Sequence, residues 1–354
     1  MTRDNDEAKI DRHLEAGYEA LEKGDLATAK KSAKATIAID ASVAEAHTLL
    51  GAVAEREDDL QGATAAYTAA RNADPSAFEP VIALAELEHA QGNIDKARTL
   101  FEQATELAEE EEEFVEALLA RAEFELAEGD GAAAAAALVE LPPVDLPEPN
   151  DHLRAGDALR QAGALLSGAE STQALADAQR HFESARSQVK PGEDDSLIAD
   201  AVYGLGLVAE QRGQKEEVEK CFAEVLRLDG KEPKPSWTLS EERMQKLVER
   251  VLGELPERAR ELLSSVPVVV ESRPTRAQVQ EGLDPRALGL FAGPSEDLGD
   301  NTPRLQQITL YTRNLERASA SVEDLQEEVR VTLLHETGHF FGLDESALAE
   351  LGLD

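Results

Sequence analysis

The sequence predicts a mostly α protein in two parts: a solenoid of paired helices, then a small α+β domain. Three observations carry this reading. Short turn motifs recur every 34 residues through the first two thirds. Aromatic residues make up only 4% of the chain, which favours helices packed through small side chains. After Lys231 the pattern changes to β-branched runs punctuated by Pro and Gly. The 354 residues suit one to three domains, and 42% apolar residues are enough for a real core.

The helical array begins after a charged tail, residues 1–10, and is expected over 11–230. Gly24-Asp25, Asp58-Asp59 and Gly92-Asn93 stand 34 residues apart and mark turns between helices. On this register Leu50, Gly51, Ala63, Tyr67, Ala70 and Pro75 occupy the small, aromatic and proline positions of the second unit. Ala16, Gly17 and Ala29 serve the first unit, and Ala97, Phe101 and Ala104 the third. Small residues let two helices approach, and Tyr67 or Phe101 fills the space against the next pair. In these residues the stretch resembles tetratricopeptide repeats.

A late unit carries Leu205, Gly206, Gly213, Phe222 and Asp229 at matching offsets. Between Glu113 and Lys190 two degenerate units are expected, one around Gly129-Asp130 and one where Ala178, Phe182 and Ala185 keep the second helix. That gives about six units. The proline-rich stretch from Leu141 to Pro149 should be a loop.

The groove lined by first helices is expected to carry Leu14, Tyr18, Thr48, Ala52, Ile82 and Glu86. It lacks the Lys and Arg that would clamp a peptide's terminal carboxylate. The expected partner is therefore a mostly apolar protein or peptide segment with a basic residue to meet Glu86. The acidic run Glu109 to Glu113 reads as a solvated helix surface, His13 and His47 as packing residues, and Cys221 as a semi-buried, inert thiol.

Residues 231–238, with Pro233 and Pro235, read as a linker, and 239–354 as the second domain. Ser240 caps an amphipathic helix periodic in Met244, Leu247, Val248, Val251 and Leu252. Strands are expected at Val268–Val270, Leu288–Phe291 and Ile308–Tyr311 with Thr312. The third is expected to offer its edge to an extended substrate. A last helix starts at Ser321, with Glu323 and Asp324 in its first turn and Leu325, Val329, Val331 and Leu334 apolar, and ends at Gly342.

That helix contains His335-Glu336-Thr337-Gly338-His339. Residues four apart project from one helix face, so the two imidazoles are expected to share one Zn2+ ion, with Glu336 beside them as general base. Gly342 allows the chain to leave the helix, and acids follow at Asp344, Glu345, Glu350 and Asp354. Glu345, ten residues after His335, has the spacing of a third ligand, and Asp344 is the alternative.

These motifs resemble the minimal zincins, together with Glu254-Leu255-Pro256, Val266 to Glu271, Leu288 to Gly293 and Ile308 to Tyr311. The resemblance implies that His335, His339 and Glu345 bind one zinc ion and that Glu336 is the catalytic base. It implies a zinc metallopeptidase that hydrolyses peptide bonds, with the repeats recruiting a protein partner. An interaction scaffold whose zincin module binds metal but cleaves little is the alternative. Met1 and Met244 both precede the helix, so no Met-turn follows it. Tyr311 is a candidate oxyanion donor or a packing residue.

The charge excludes other classes. Asp and Glu number 72 against 35 Lys and Arg, a net charge of −37, so nucleic acid and anionic membranes are repelled. Cys221 is the only cysteine, which rules out an intramolecular disulfide framework and iron–sulfur or multi-cysteine zinc sites. With a charged N-terminus and no apolar run near the roughly 18 residues of a membrane span, a cytoplasmic location is expected.

Overall fold

The computed structural model describes residues 2–141, 146–254, 257, 260, 266–292 and 307–340, with side chains described from Asp6 to Glu336 within those spans. The chain divides into two compact units, Met1–Ala185 and Arg186–Asp354. Among the described residues, no helix is long and apolar enough to cross a membrane.

The first unit is a run of helical hairpins: α1 (Thr2–Glu22) with α2 (Leu26–Ile39), α3 (Ala44–Arg56) with α4 (Leu60–Ala73), α5 (Glu79–Ala90) with α6 (Ile94–Leu107), and α7 (Glu111–Ala127) with α8 (Gly131–Leu138). Then come α9 (Pro149–Leu165) and α10 (Gly168–Gln188). The 34-residue signal is a turn chemistry. Gly24, Gly92 and Gly129 have φ of 75°, 77° and 76°, and Asp58 takes the same left-handed position at 56°. The next residue caps the following helix: Asp25, Asp59 and Asp130 accept from the amides of Thr28, Gly62 and Ala133.

Close approach explains the small residues. A Cβ on Gly51 would stand 2.6 Å from the Tyr67 ring, so glycine there lets α3 lie directly on α4. Glu109 to Glu113 forms a helix start, where the Glu113 carboxylate accepts from the amides of Glu109 and Glu110 at 2.9 and 3.3 Å. Of the expected groove residues, Leu14 is buried in the core, whereas Tyr18, Thr48, Ala52, Ile82 and Glu86 reach the surface. Pro142 to Asp145 lie outside the described residues.

Inside this unit His152 and His181 face each other, fully buried, with their Nδ1 atoms 2.9 Å apart. One ring must donate Nδ1–H and the other accept, which requires the accepting ring to be neutral. Burial, then the neighbouring His152 and Arg180, push the His181 pKa down to about 4.

The second unit opens with the late repeat pair, α11 (Asp195–Gln211) and α12 (Lys215–Asp229). Cys221 is buried there, its thiol pushed up to about 11 by burial and then by Glu217. After α13 (Glu241–Glu254) come β1 (Val268–Glu271), α14 (Arg276–Gln280), β2 (Gly289–Ala292), β3 (Gln307–Tyr311), α15 (Thr312–Ala318) and α16 (Val322–Phe340). The sheet order is β1-β3-β2, with β1 parallel and β2 antiparallel to β3. Two expectations are corrected here. Thr312 begins α15 rather than ending a strand, and β3 is the central strand, so it has no free edge for a substrate.

One face of the sheet packs against helices. Ile308 and Leu310 join Met244, Leu247, Val248 and Val251 of α13, Leu315 of α15, and Leu325, Val329 and Leu333 of α16 in one apolar cluster. The late repeat pair is tied to this domain by charge. Arg286 donates to the buried Asp229 at 3.0 and 3.1 Å and pairs with Asp200 at 2.8 Å, while its guanidinium lies 4.6 Å from the centre of the Tyr203 ring. Arg317 pairs with Asp200, and with Glu232 at 3.2 Å. Arg313 donates to the carbonyls of Glu232 and Pro233 at 3.2 and 3.0 Å.

The histidine pair sets a pH dependence. His181 binds its proton more weakly folded, at about 4, than unfolded, at about 6.5, so the unfolded state gains protons first as pH falls. The stability from keeping the pair neutral is intact above pH ~6.5 and is lost progressively toward pH ~4, by about 3 kcal/mol at most. Urea unfolding of the wild-type protein and of His181→Phe between those limits checks this. The acid-side loss should be smaller in the variant, and equal slopes would contradict it.

Candidate metal site on the last helix

Helix α16 starts where the sequence places a cap: Ser321 Oγ accepts from the Asp324 amide at 3.1 Å, with Glu323 and Asp324 in the first turn. Leu325, Val329 and Leu333 are fully buried and fix the helix against α13 and β3. The helix continues without a break through His335 and His339, one turn apart. His335 is half-buried.

Glu336 is 7% exposed, low for a carboxylate. It lies four residues after Thr332 on the helix face that meets β2. Both side chains crowd Gly289, where an added Cβ would stand 2.7 Å from Thr332 Cγ2 and 3.0 Å from Glu336 Oε1.

Among the described residues, no three His, Cys, Asp or Glu side chains gather so as to hold a metal ion. The imidazole of His339 and residues 341–354, with Gly342, Asp344 and Glu345, lie outside them. The expected ligand set is therefore represented by His335 and by the helix that carries His339.

Tyr311 is fully buried, and its hydroxyl accepts from Gln278 Nε2 at 2.9 Å. The orientation of that amide is set by a capping box, in which Gln278 Oε1 accepts from the Thr275 amide at 2.7 Å and its hydroxyl at 2.8 Å. Burial, then the charge of Glu271, push the Tyr311 pKa up to about 12, with Gln278 acting in the opposite direction and Glu336 adding to the rise. Tyr311 is thus fully buried and within electrostatic reach of both Glu271 and Glu336. Two features escaped the sequence reading. One is Gly289, whose signal was a glycine inside a strand pattern. The other is the Gln278–Tyr311 bond, which has no local signal.

Comparison with known proteins matches two separate segments of the chain. Residues 263–353 match the family described as zincin-like metallopeptidase, and residues 14–78 and 54–114 match two tetratricopeptide repeat models. No curated protein matches the chain. Similar solved structures include pilF of Pseudomonas aeruginosa, at 15% identity over 64% of this chain and 95% of that one, with a TM-score of 0.47. PilW, a type IV pilus biogenesis factor, matches at 15% identity over 67% and 98%, TM-score 0.46. YrrB, a tetratricopeptide protein with an unusual peptide-binding site, matches at 16% over 56% and 93%, TM-score 0.40.

The spacing of the late acids yields a direct expectation. Protein equilibrated with zinc and then dialysed should retain about one ion per chain. His335→Ala and Glu345→Ala should each weaken binding by at least about a hundredfold, and Asp344→Ala should leave it unchanged. Zinc titration against a chromophoric chelator measures this, and the reverse order for the two acids would make Asp344 the ligand.

Proposed function

We propose that the chain is a zinc-dependent peptide hydrolase whose repeats, over 11–230, recruit a protein partner to a catalytic segment within 239–354. The observation that carries the reading is the buried Glu336 between two histidines on one unbroken helix, inside the segment matched by the zincin-like metallopeptidase family. The donor chemistry fits zinc: two imidazoles a helical turn apart plus one carboxylate is a set that leaves a fourth position open. His335 and His339 would hold the ion with Glu345, or with Asp344 in its place.

Bound zinc supplies Lewis acidity toward a peptide carbonyl and toward water. The chain's own contribution is proton handling. Glu336 takes a proton at its carboxylate from the attacking water and passes it to the departing amine nitrogen, so that water adds across the peptide bond. Its burial against β2 holds the carboxylate in one place and limits competing water.

For the repeats, the face made by the first helices supports a partner with basic side chains. A cavity of about 490 Å³ is lined by Tyr18, Phe78 and Leu107, with Glu45, Glu79 and Glu110 among its acids. Farther along, Glu86 is exposed yet held above the usual carboxylate range. Loss of hydration among its neighbours comes first, then the charges of Glu55, Glu116 and Glu123, which Arg154 only partly offsets. A cationic side chain would relieve that repulsion.

Two measurements test the reading. With a fluorogenic peptide library, zinc-loaded Glu336→Gln should keep its metal and lose at least about a hundredfold in cleavage rate. Equal cleavage by both forms would discard the base, and no cleavage by loaded wild-type protein would leave the scaffold alternative. On an array of apolar peptides, those with one lysine should bind the full chain better than alanine counterparts, and Glu86→Gln should cut that preference about tenfold. An undiminished preference would remove Glu86 from the partner site.

A further inference from the structure

Gly289 poses a question that the metal motif does not answer. Gly289 is the first residue of β2, and a glycine in a strand commonly marks a close approach by another group. Gly289 is paired in register with Leu310, and its backbone lies outside the left-handed region, so conformation does not require glycine. Space does. The nearest atoms to a Cβ built there are Thr332 Cγ2 at 2.7 Å, Glu336 Oε1 at 3.0 Å and Glu336 Cγ at 3.1 Å. Contacts this short force something to move. The helix backbone resists, because Leu325 and Val329 on the same stripe, with Leu333 beside it, lock α16 into the core. The Glu336 side chain is the part with freedom to yield.

We propose that Gly289 is a positioning residue for Glu336: its missing Cβ is the space in which α16 holds the Glu336 carboxylate and the Thr332 methyl against β2. The inference rests on the reading of Glu336 as the base, and it deepens that reading by naming what sets the carboxylate's place. A side chain at position 289 would redirect the carboxylate while leaving both histidines on their helix. Metal binding and proton transfer would then separate.

The experiment uses the full chain and two readouts. In Gly289→Ala, zinc stoichiometry should stay at about one per chain, while kcat on the fluorogenic peptide that the wild-type protein cleaves best should fall by at least about tenfold with KM within about twofold. The second readout needs no activity. Gly289→Ala should lower the melting temperature of the second unit by about 4 °C in the wild-type background. In the Thr332→Ser, Glu336→Ala background, where the crowding atoms are gone, it should lower it by less than about 1 °C.

Equal melting costs in the two backgrounds would overturn the packing claim. Unchanged kcat in Gly289→Ala, with Glu336→Gln inactive, would overturn the positioning role and leave the base intact. Full activity in Glu336→Gln would instead overturn the base reading, and the melting comparison would still decide whether Gly289 exists to seat Glu336.

Discussion

The second unit depends on one steric constraint, the closeness with which α16 lies on β2. A carboxylate buried at Glu336 loses much of its hydration, a cost the surrounding structure must offset. Leu325, Val329 and Leu333 anchor the helix to α13 and β3, and Thr332 and Glu336 then fall on the face that meets Gly289. One helix thus serves as core and as site scaffold. A change in core volume beneath Val329 or Leu333 would be transmitted to Glu336 through the helix itself, because packed interiors carry strain rather than absorb it.

A second feature is how the small domain is held to the repeat pair that precedes it. Asp229 is almost fully buried at the end of α12, and Arg286 covers it with two hydrogen bonds. Arg317, Arg273 and Arg313 draw in Asp200, Glu232 and the carbonyls beside Pro233, so the segment after α12 is fastened through its acceptors. Ion pairs of this kind contribute little net stability after desolvation, but each guanidinium accepts few alternative arrangements. They specify a docking register for α11 and α12 against the small domain, and that register is a property of the whole second unit.

Local signals were legible in the sequence. The Gly-Asp spacing appears as left-handed turns and caps, and Gly51 meets Tyr67 as the repeat pattern requires. Ser240 and Ser321 start the helices expected of them. Pairings distant in sequence were not legible. Nothing local places β3 between β1 and β2, since strand order follows from which faces are covered. His152 and His181 meet only because α9 and α10 pack together, and Arg317 reaches Asp200 across 117 residues. The candidate site divides the same way. His335, Glu336 and His339 form one local motif, whereas the role of Gly289 becomes visible only once β2 lies on α16.

The most direct measurement is anomalous diffraction at the zinc absorption edge from crystals of zinc-equilibrated protein. The account predicts one peak per chain, within about 2.1 Å of an imidazole nitrogen of both His335 and His339 and at a similar distance from a Glu345 oxygen, with Glu336 close by but not a ligand. A peak bound by Glu336, a peak remote from α16, or none at all would contradict it.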